Sequence, residues 1–386
     1  MSRTRILTAL LLLATFFVPC SKAQLGKSVP LPAGSDEDRQ LTAIVAADPS
    51  QKLPLIDEFS KAHPDGDLQI VADEQYVVYY INAKQYDKAF EYGDKLFALD
   101  PDNYGNAVNM IRAANEKGDP DKIFLYGEKA NAIIQRYKAA PPPEGTAADA
   151  WANAKAEKLD AQKDNQTYIQ QSLLSAAFNT QDPAKKADYF LRYSKMYPDT
   201  PEGAQALSMA AFAYQQAQNR PKMLEVANAV LAKDPDNIGM LLLLADDYSE
   251  KGEQLANAET YAKKAAALTD TAKKPDNVTD DQWKQQLSVQ KGLAFSALGQ
   301  INLQKKLNAQ AVDNLSKAAP LLKPNAISYA RNEYRLGYAY LNLKRDADAT
   351  KAFTEAASVD SPYKGPAQKK LAELGVAKPP ARKKAS

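Results

Sequence analysis

The residue types that carry most enzyme chemistry are almost missing from this chain. His63 is its only histidine and Cys20 its only cysteine. A lone imidazole with no thiolate near it assembles no metal cluster. His63 stands just before Pro64 at the end of a predicted helix and reads as structural filler. No glycine-rich phosphate loop occurs, and no serine nucleophile elbow of the usual spacing. Asp246-Asp247 is an acidic pair inside a predicted helix. Neighbouring helical positions point about 100° apart, so the pair makes no acid/base couple by itself and reads as a solvated face. The expectation is a chain without catalysis, metal or cofactor, whose chemistry is that of a surface.

The 386-residue chain is rich in alanine and about a quarter charged, with a net charge of +2. That balance gives no concentrated basic face and argues against nucleic acid as a partner. No run alternates apolar and polar residues convincingly, so the expected fold class is all-α.

Residues 1–23 read as a signal peptide. Ser2-Arg3-Thr4-Arg5 is basic, Ile6 to Val18 is apolar, and Ser21-Lys22-Ala23 offers small residues for cleavage after Ala23. The apolar run is short for a bilayer, so no transmembrane span is expected. The expected location is periplasmic or secreted. Cys20 opens a second reading, a membrane-anchored lipoprotein, although Pro19 stands where that pattern wants a small residue.

Repeats organise the rest. Leu336-Gly337, Tyr340, Ala349, Phe353 and Ala356, closed by Pro362, place small and large residues at fixed offsets. Partial copies include Tyr80, Ala89 and Pro101; Leu174, Phe178, Ala187 and Pro198; Tyr248, Gly252, Ala258 and Ala265; and Leu298-Gly299, Ala311, Leu315 and Ala318. These offsets resemble the tetratricopeptide repeat, a 34-residue helix–turn–helix. The resemblance covers most of the chain after residue 23. It implies a right-handed α-solenoid of about seven helix pairs, with an N-terminal half-repeat and a C-terminal capping helix. Small residues such as Gly299 and Gly337 would let helix axes approach. Large ones such as Tyr80, Phe178 and Tyr340 would fill the next gap. Asp-Pro pairs at 100–101 and 234–235 would stop second helices.

A longer repeat overlies this one. The stretch DPSQKLPLIDEFSKAHPD at 48–65 returns as DPAKKADYFLRYSKMYPD at 182–199, an offset of 134. The same offset carries Tyr80 to Tyr214, Glu91 to Glu225 and Gly118 to Gly252. It reads as a duplicated block of about four repeat slots. Each block has an interruption in which Thr146 with Asp149, and Thr279 with Gln282, look like capping boxes. An overlong helix is expected after each, about 33 residues from about 147 and about 26 from about 280. Trp151 and Trp283, the only tryptophans, would sit on these helices as a contact ridge or as staples onto a neighbour.

The expected division is a flexible tether at 24–36, a first block at 37–181, a second at 182–313, a last repeat and capping helix at 314–375, and a basic disordered tail at 376–386. Helices near 37–47 and 50–62 open the first block. In the tetratricopeptide family, fixed positions of the first helix line a concave groove. By resemblance these are Val78, Ile81, Asn82, Arg112, Asn115, Asn179, Phe212, Gln215, Asp246, Gln300, Tyr334, Tyr338 and Leu341, with Val108, Ser172 and Ala176 in the same rows. Tyr334, Tyr338 and Phe212 are the candidate anchors, although Tyr338 and Phe212 also suit the core between repeats. Members that grip acidic chaperone tails place Lys, Asn and Arg here, and of those basic residues only Arg112 is matched. The implied function is a non-catalytic scaffold or assembly factor in the bacterial envelope, binding peptides or helices of other proteins. Two alternatives stand beside it: an accessory subunit of a cell-wall enzyme complex, and a hydrolase with a cryptic site between the blocks.

Overall fold

The computed structural model describes residues 25–64, 66–276 and 278–375. The expected signal peptide with its cleavage site, Cys20 and the expected basic tail lie outside the described residues. Among the described residues every regular element is an α-helix, and they group into two compact units that divide between Asn179 and Thr180.

The first unit holds α1 (Asp36–Ala46), α2 (Pro49–Ala62), α3 (Asp67–Asn82), α4 (Tyr86–Leu99), α5 (Tyr104–Lys117), α6 (Pro120–Ala139), α7 (Ala148–Asp160) and α8 (Lys163–Asn179). The second holds α9 (Pro183–Met196), α10 (Pro201–Gln216), α11 (Arg220–Lys233), α12 (Ile238–Lys251), α13 (Leu255–Leu268), α14 (Asp280–Gln304), α15 (Asn308–Leu322), α16 (Ala326–Asn342), α17 (Asp346–Ser358) and α18 (Lys364–Glu373).

One turn closes six of the hairpins. The N–H groups of Gln85, Asp119, Asn219, Glu253, Leu307 and Arg345 each donate to the carbonyl five residues back. That bond satisfies a helix-end acceptor and forces the preceding residue into the left-handed region. Gly118 and Gly252 suit this conformation. Lys84, Gln218, Lys306 and Lys344 adopt it at φ 56°–59°.

Close helix approach follows from missing side chains. A Cβ on Gly299 would stand 2.5 Å or less from Leu315, and one on Gly337 would stand 2.7 Å from the Phe353 ring. Phe353 and Leu315 are fully buried. Burying such a side chain contributes about 1.5–3 kcal/mol.

The offset of 134 is visible in the backbone. Helices α2, α3, α4 and α5 return as α9, α10, α11 and α12 with identical lengths and every boundary moved by that number. Asn103 and Asn237 cap α5 and α12 through the N–H groups of Asn106 and Met240. The second unit begins at Thr180, two residues before the second copy opens at Asp182 on the expected 181/182 boundary.

Several expectations change. Residues 25–35 are not a free tether: the Lys27 N–H donates to Asp100 Oδ2 at 2.8 Å, and Gly26 lies against Asp100 and Asn103. The helix expected from about 147 is two helices, α7 and α8, parted at Ala161-Gln162. No residue of α7 is fully buried, and its contacts through Trp151 run back to the end of α6. Its N-cap is Ala147 with no side-chain bond, so the Thr146–Asp149 box does not form. The Thr279–Gln282 box does form, and α14 runs unbroken for 25 residues. Trp151 acts as a staple: its indole N–H donates to Ala140 O at 3.0 Å and its ring meets Tyr137 edge-on. A boundary at 313/314 would cut α15, which packs against α14. Phe178 does not fill a gap; it is 48% exposed. The closing helix begins at Lys364, because Pro366 falls in its first turn, where no N–H is needed.

Candidate functional site

The first helices of successive hairpins in the second unit, α10, α12, α14 and α16, line one cleft. Its first part, about 480 Å³, has Phe212, Leu242, Leu293 and Ile327 as apolar wall, with Gln215 and Gln290 beside them. Gly239 leaves room there: a Cβ would come within 3.3 Å of the Phe212 ring. The second part, about 400 Å³, is lined by Glu250, Gln300, Gln304, Tyr334, Tyr338 and Asn342. Tyr363, in the turn before α18, borders both.

A charged cluster fixes these helices to one another. Asp246 of α12 accepts from Arg331 at 2.7 Å and from Arg335 at 3.3 Å, both on α16. Arg335 also donates to Glu250 of α12, and to Ser296 Oγ of α14 at 3.0 Å. Burial pushes the Asp246 carboxyl up, but the two guanidiniums outweigh it and hold it below the usual carboxylate range. Asp246 is therefore not a solvated face residue. Asp247, one position on, turns away and pairs with Arg220 at 2.7 Å.

The expected groove residues fall into three groups. Phe212, Gln215, Asp246, Gln300, Tyr334 and Tyr338 do line the cleft. Tyr334, Tyr338 and Leu341 also pack, as Leu371 and Leu374 do, against the buried cluster of Ala349, Phe353, Ala356 and Ala367, and the two tyrosine hydroxyls lie 3.2 Å apart. In the first unit, Ile81, Val108, Ser172 and Ala176 are buried between helices, whereas Val78, Asn82, Arg112 and Asn179 are exposed. Asn115 clamps α5 to α8 by donating to Tyr168 and Ser172 hydroxyls at 2.9 and 2.8 Å.

Sequence reasoning missed Arg331, Arg335, Gln290, Leu242 and Ile327. A signal for the arginines was present. Asp246 and Glu250 stand four apart on one first helix, and Arg331 and Arg335 four apart on another. Each pair shares one helix face, so the two faces are charge-complementary. The Gln290 Oε1 is buried with no hydrogen-bond partner among the described residues. Among the described residues no group of three His, Cys, Asp or Glu side chains is placed to hold a metal ion, and no helix is long and apolar enough to cross a membrane.

The geometry defines a class: stacked helical hairpins of the tetratricopeptide type, with small residues at the crossings and first helices lining a cleft. No protein-family model and no curated protein sequence matches the chain. Solved structures of similar architecture include yeast Tom70, 12% identical over 92% of this chain and 67% of that one, with a TM-score of 0.37. NprR in complex with its cognate peptide NprX is 16% identical over 88% and 81%, with a TM-score of 0.31. The TPR domain of P58(IPK) is 12% identical over 88% and 98%, with a TM-score of 0.29. Likeness at this level says nothing about what this chain binds.

Proposed function

We propose that the chain is a non-catalytic protein-binding scaffold that takes an extended or helical peptide segment into the cleft of its second unit. The observation that carries this reading is the uncovered apolar wall, in which Ile327 is 58% exposed beside Phe212, Leu242 and Leu293. Apolar side chains of the segment enter this wall, and Gln215 and Gln290 meet its backbone amides. The Asp246–Arg331–Arg335 cluster keeps the three first helices in register, so little ordering cost falls on binding.

Selection of a displayed random-peptide library on the full chain tests the proposal. Selected peptides are expected to lose at least tenfold in affinity, about 1.4 kcal/mol, on the Ile327→Glu and Phe212→Ala variants. Failure to enrich any peptide, or equal binding to the variants, refutes it.

The export signal read in residues 1–23 supports a place in the bacterial envelope, as an assembly factor or as the accessory subunit of a cell-wall enzyme complex. Mass spectrometry of the mature N-terminus checks this. Gln24 as first residue supports soluble export, and a diacylglyceryl mass on Cys20 supports a lipid anchor.

A further inference from the structure

The two copies of the duplicated block build the same cleft with different chemistry. In the first unit it lies between α2, α3 and α4, measures about 610 Å³, and is lined by Ser60, Gln69, Asp73, Tyr76, Tyr92 and Lys95. In the second unit α9, α10 and α11 form the counterpart, about 340 Å³, which keeps Ser194 and Pro198. There Gly203 and Leu207 stand at the positions of Gln69 and Asp73. Ala210, Val226 and Ala229 stand at those of Tyr76, Tyr92 and Lys95. Both copies fold into helices with matching bounds. The helices themselves therefore form without the polar set, and a carboxylate as buried as Asp73, 2% exposed, is costly to hold.

The polar groups are arranged in a line. Ser60 Oγ donates to Gln69 Oε1 at 3.2 Å, and Gln69 Nε2 donates to Asp73 Oδ1 at 2.9 Å. No protein donor meets Asp73 Oδ2 among the described residues. The Tyr76 hydroxyl is turned away to Asp57 at 2.6 Å, and its ring stacks on Tyr92 at 4.2 Å. The Lys95 ammonium lies over Tyr92 and pairs with Glu91 at 2.7 Å, while Lys61 completes the rim.

An acceptor-only carboxylate thus sits beside donor-only ammoniums and an aromatic wall. A ligand that satisfies all of these carries groups that both donate and accept, close together, around an apolar frame. Hydroxyls on a sugar ring meet that description. The site brings two ammoniums, Lys61 and Lys95, together with two carboxylates, Asp73 and Glu91, so it favours no net charge. We propose that the α2–α3–α4 cleft of the first unit is a binding site for a neutral carbohydrate, with Asp73 and Lys95 as its hydroxyl-bonding residues.

The full chain is titrated with cellotetraose, maltotetraose and chitotetraose by calorimetry and ligand-observed NMR, with glycine and free lysine as parallel arms. At least one oligosaccharide is expected to bind at millimolar concentration or below. Asp73→Leu, which copies the second block, and Lys95→Ala are each expected to weaken it at least tenfold. Circular dichroism confirms that each variant folds. If Asp73→Leu does not, Lys95→Ala decides, because that side chain is half exposed. No oligosaccharide binding at about 10 mM, equal binding by Lys95→Ala, or binding of the amino acids alone overturns the proposal.

Discussion

Asp246 and Asp247 show what a residue's neighbours decide. The sequence gives both the same side chain and one helix, yet the first is locked between two guanidiniums and the second reaches a different arginine. The 100° step between them was readable, as was the four-residue spacing of Arg331 and Arg335; which arginine each aspartate takes, 85 and 89 residues away for Asp246 and 27 for Asp247, was not. Glu333 of α16 is a further case that no local pattern announces. Burial, then the nearby Glu355 charge, pushes its carboxyl up to about 7. Its folded pKa thus lies above its unfolded value, so the folded state holds the proton longer. The associated stability is complete below about pH 4.5 and is lost as pH rises to 7, a change on the order of 3 kcal/mol. Denaturant titrations between pH 5 and 8 are expected to show this decline in the wild type and its loss in Glu333→Gln.

At the scale of elements, helix existence and the bounds near 37–47, 50–62 and 280 were legible, because caps, Asp-Pro stops and small-residue crossings are local signals. The break between α7 and α8 was not. Their composition supports one long helix, whereas α7 has no fully buried residue and its Trp151 contacts run back to the end of α6. The hairpin turn was legible where glycine occupies the left-handed position and hidden where Lys or Gln does. That conformation costs a non-glycine residue about 1–2 kcal/mol, partly offset by the greater unfolded-state freedom of glycine. Lys306→Gly and Lys344→Gly are therefore expected to raise unfolding stability by about 0.5–1 kcal/mol each, measured by urea titration. Glycine at Leu307, one residue further on, is expected to give no such gain.

At the scale of the molecule, the offset of 134 read from residue identities is also the offset of four helices, and the second copy opens two residues after the second compact unit begins. Each unit packs its own hairpins. A fragment of residues 180–375 is expected to remain helical and unfold in one cooperative transition, with a urea m-value reduced roughly in proportion to its length. Circular dichroism through the titration checks this, and a broad, uncooperative loss of signal counts against it. The cleft in this unit was legible as rows of first-helix positions, but its floor was not, since Leu242 and Leu293 look like ordinary core until the helices are stacked. Helix α18 has a consequence of its own. It lays Ala367, Leu371 and Leu374 over Phe353 and turns Gln368 and Lys369 outward. Bare hairpin ends are mutually sticky and join head to tail without closing on themselves. This short polar-backed segment is expected to act as a terminator, so that a chain lacking residues 364–386 self-associates in sedimentation where the full chain does not.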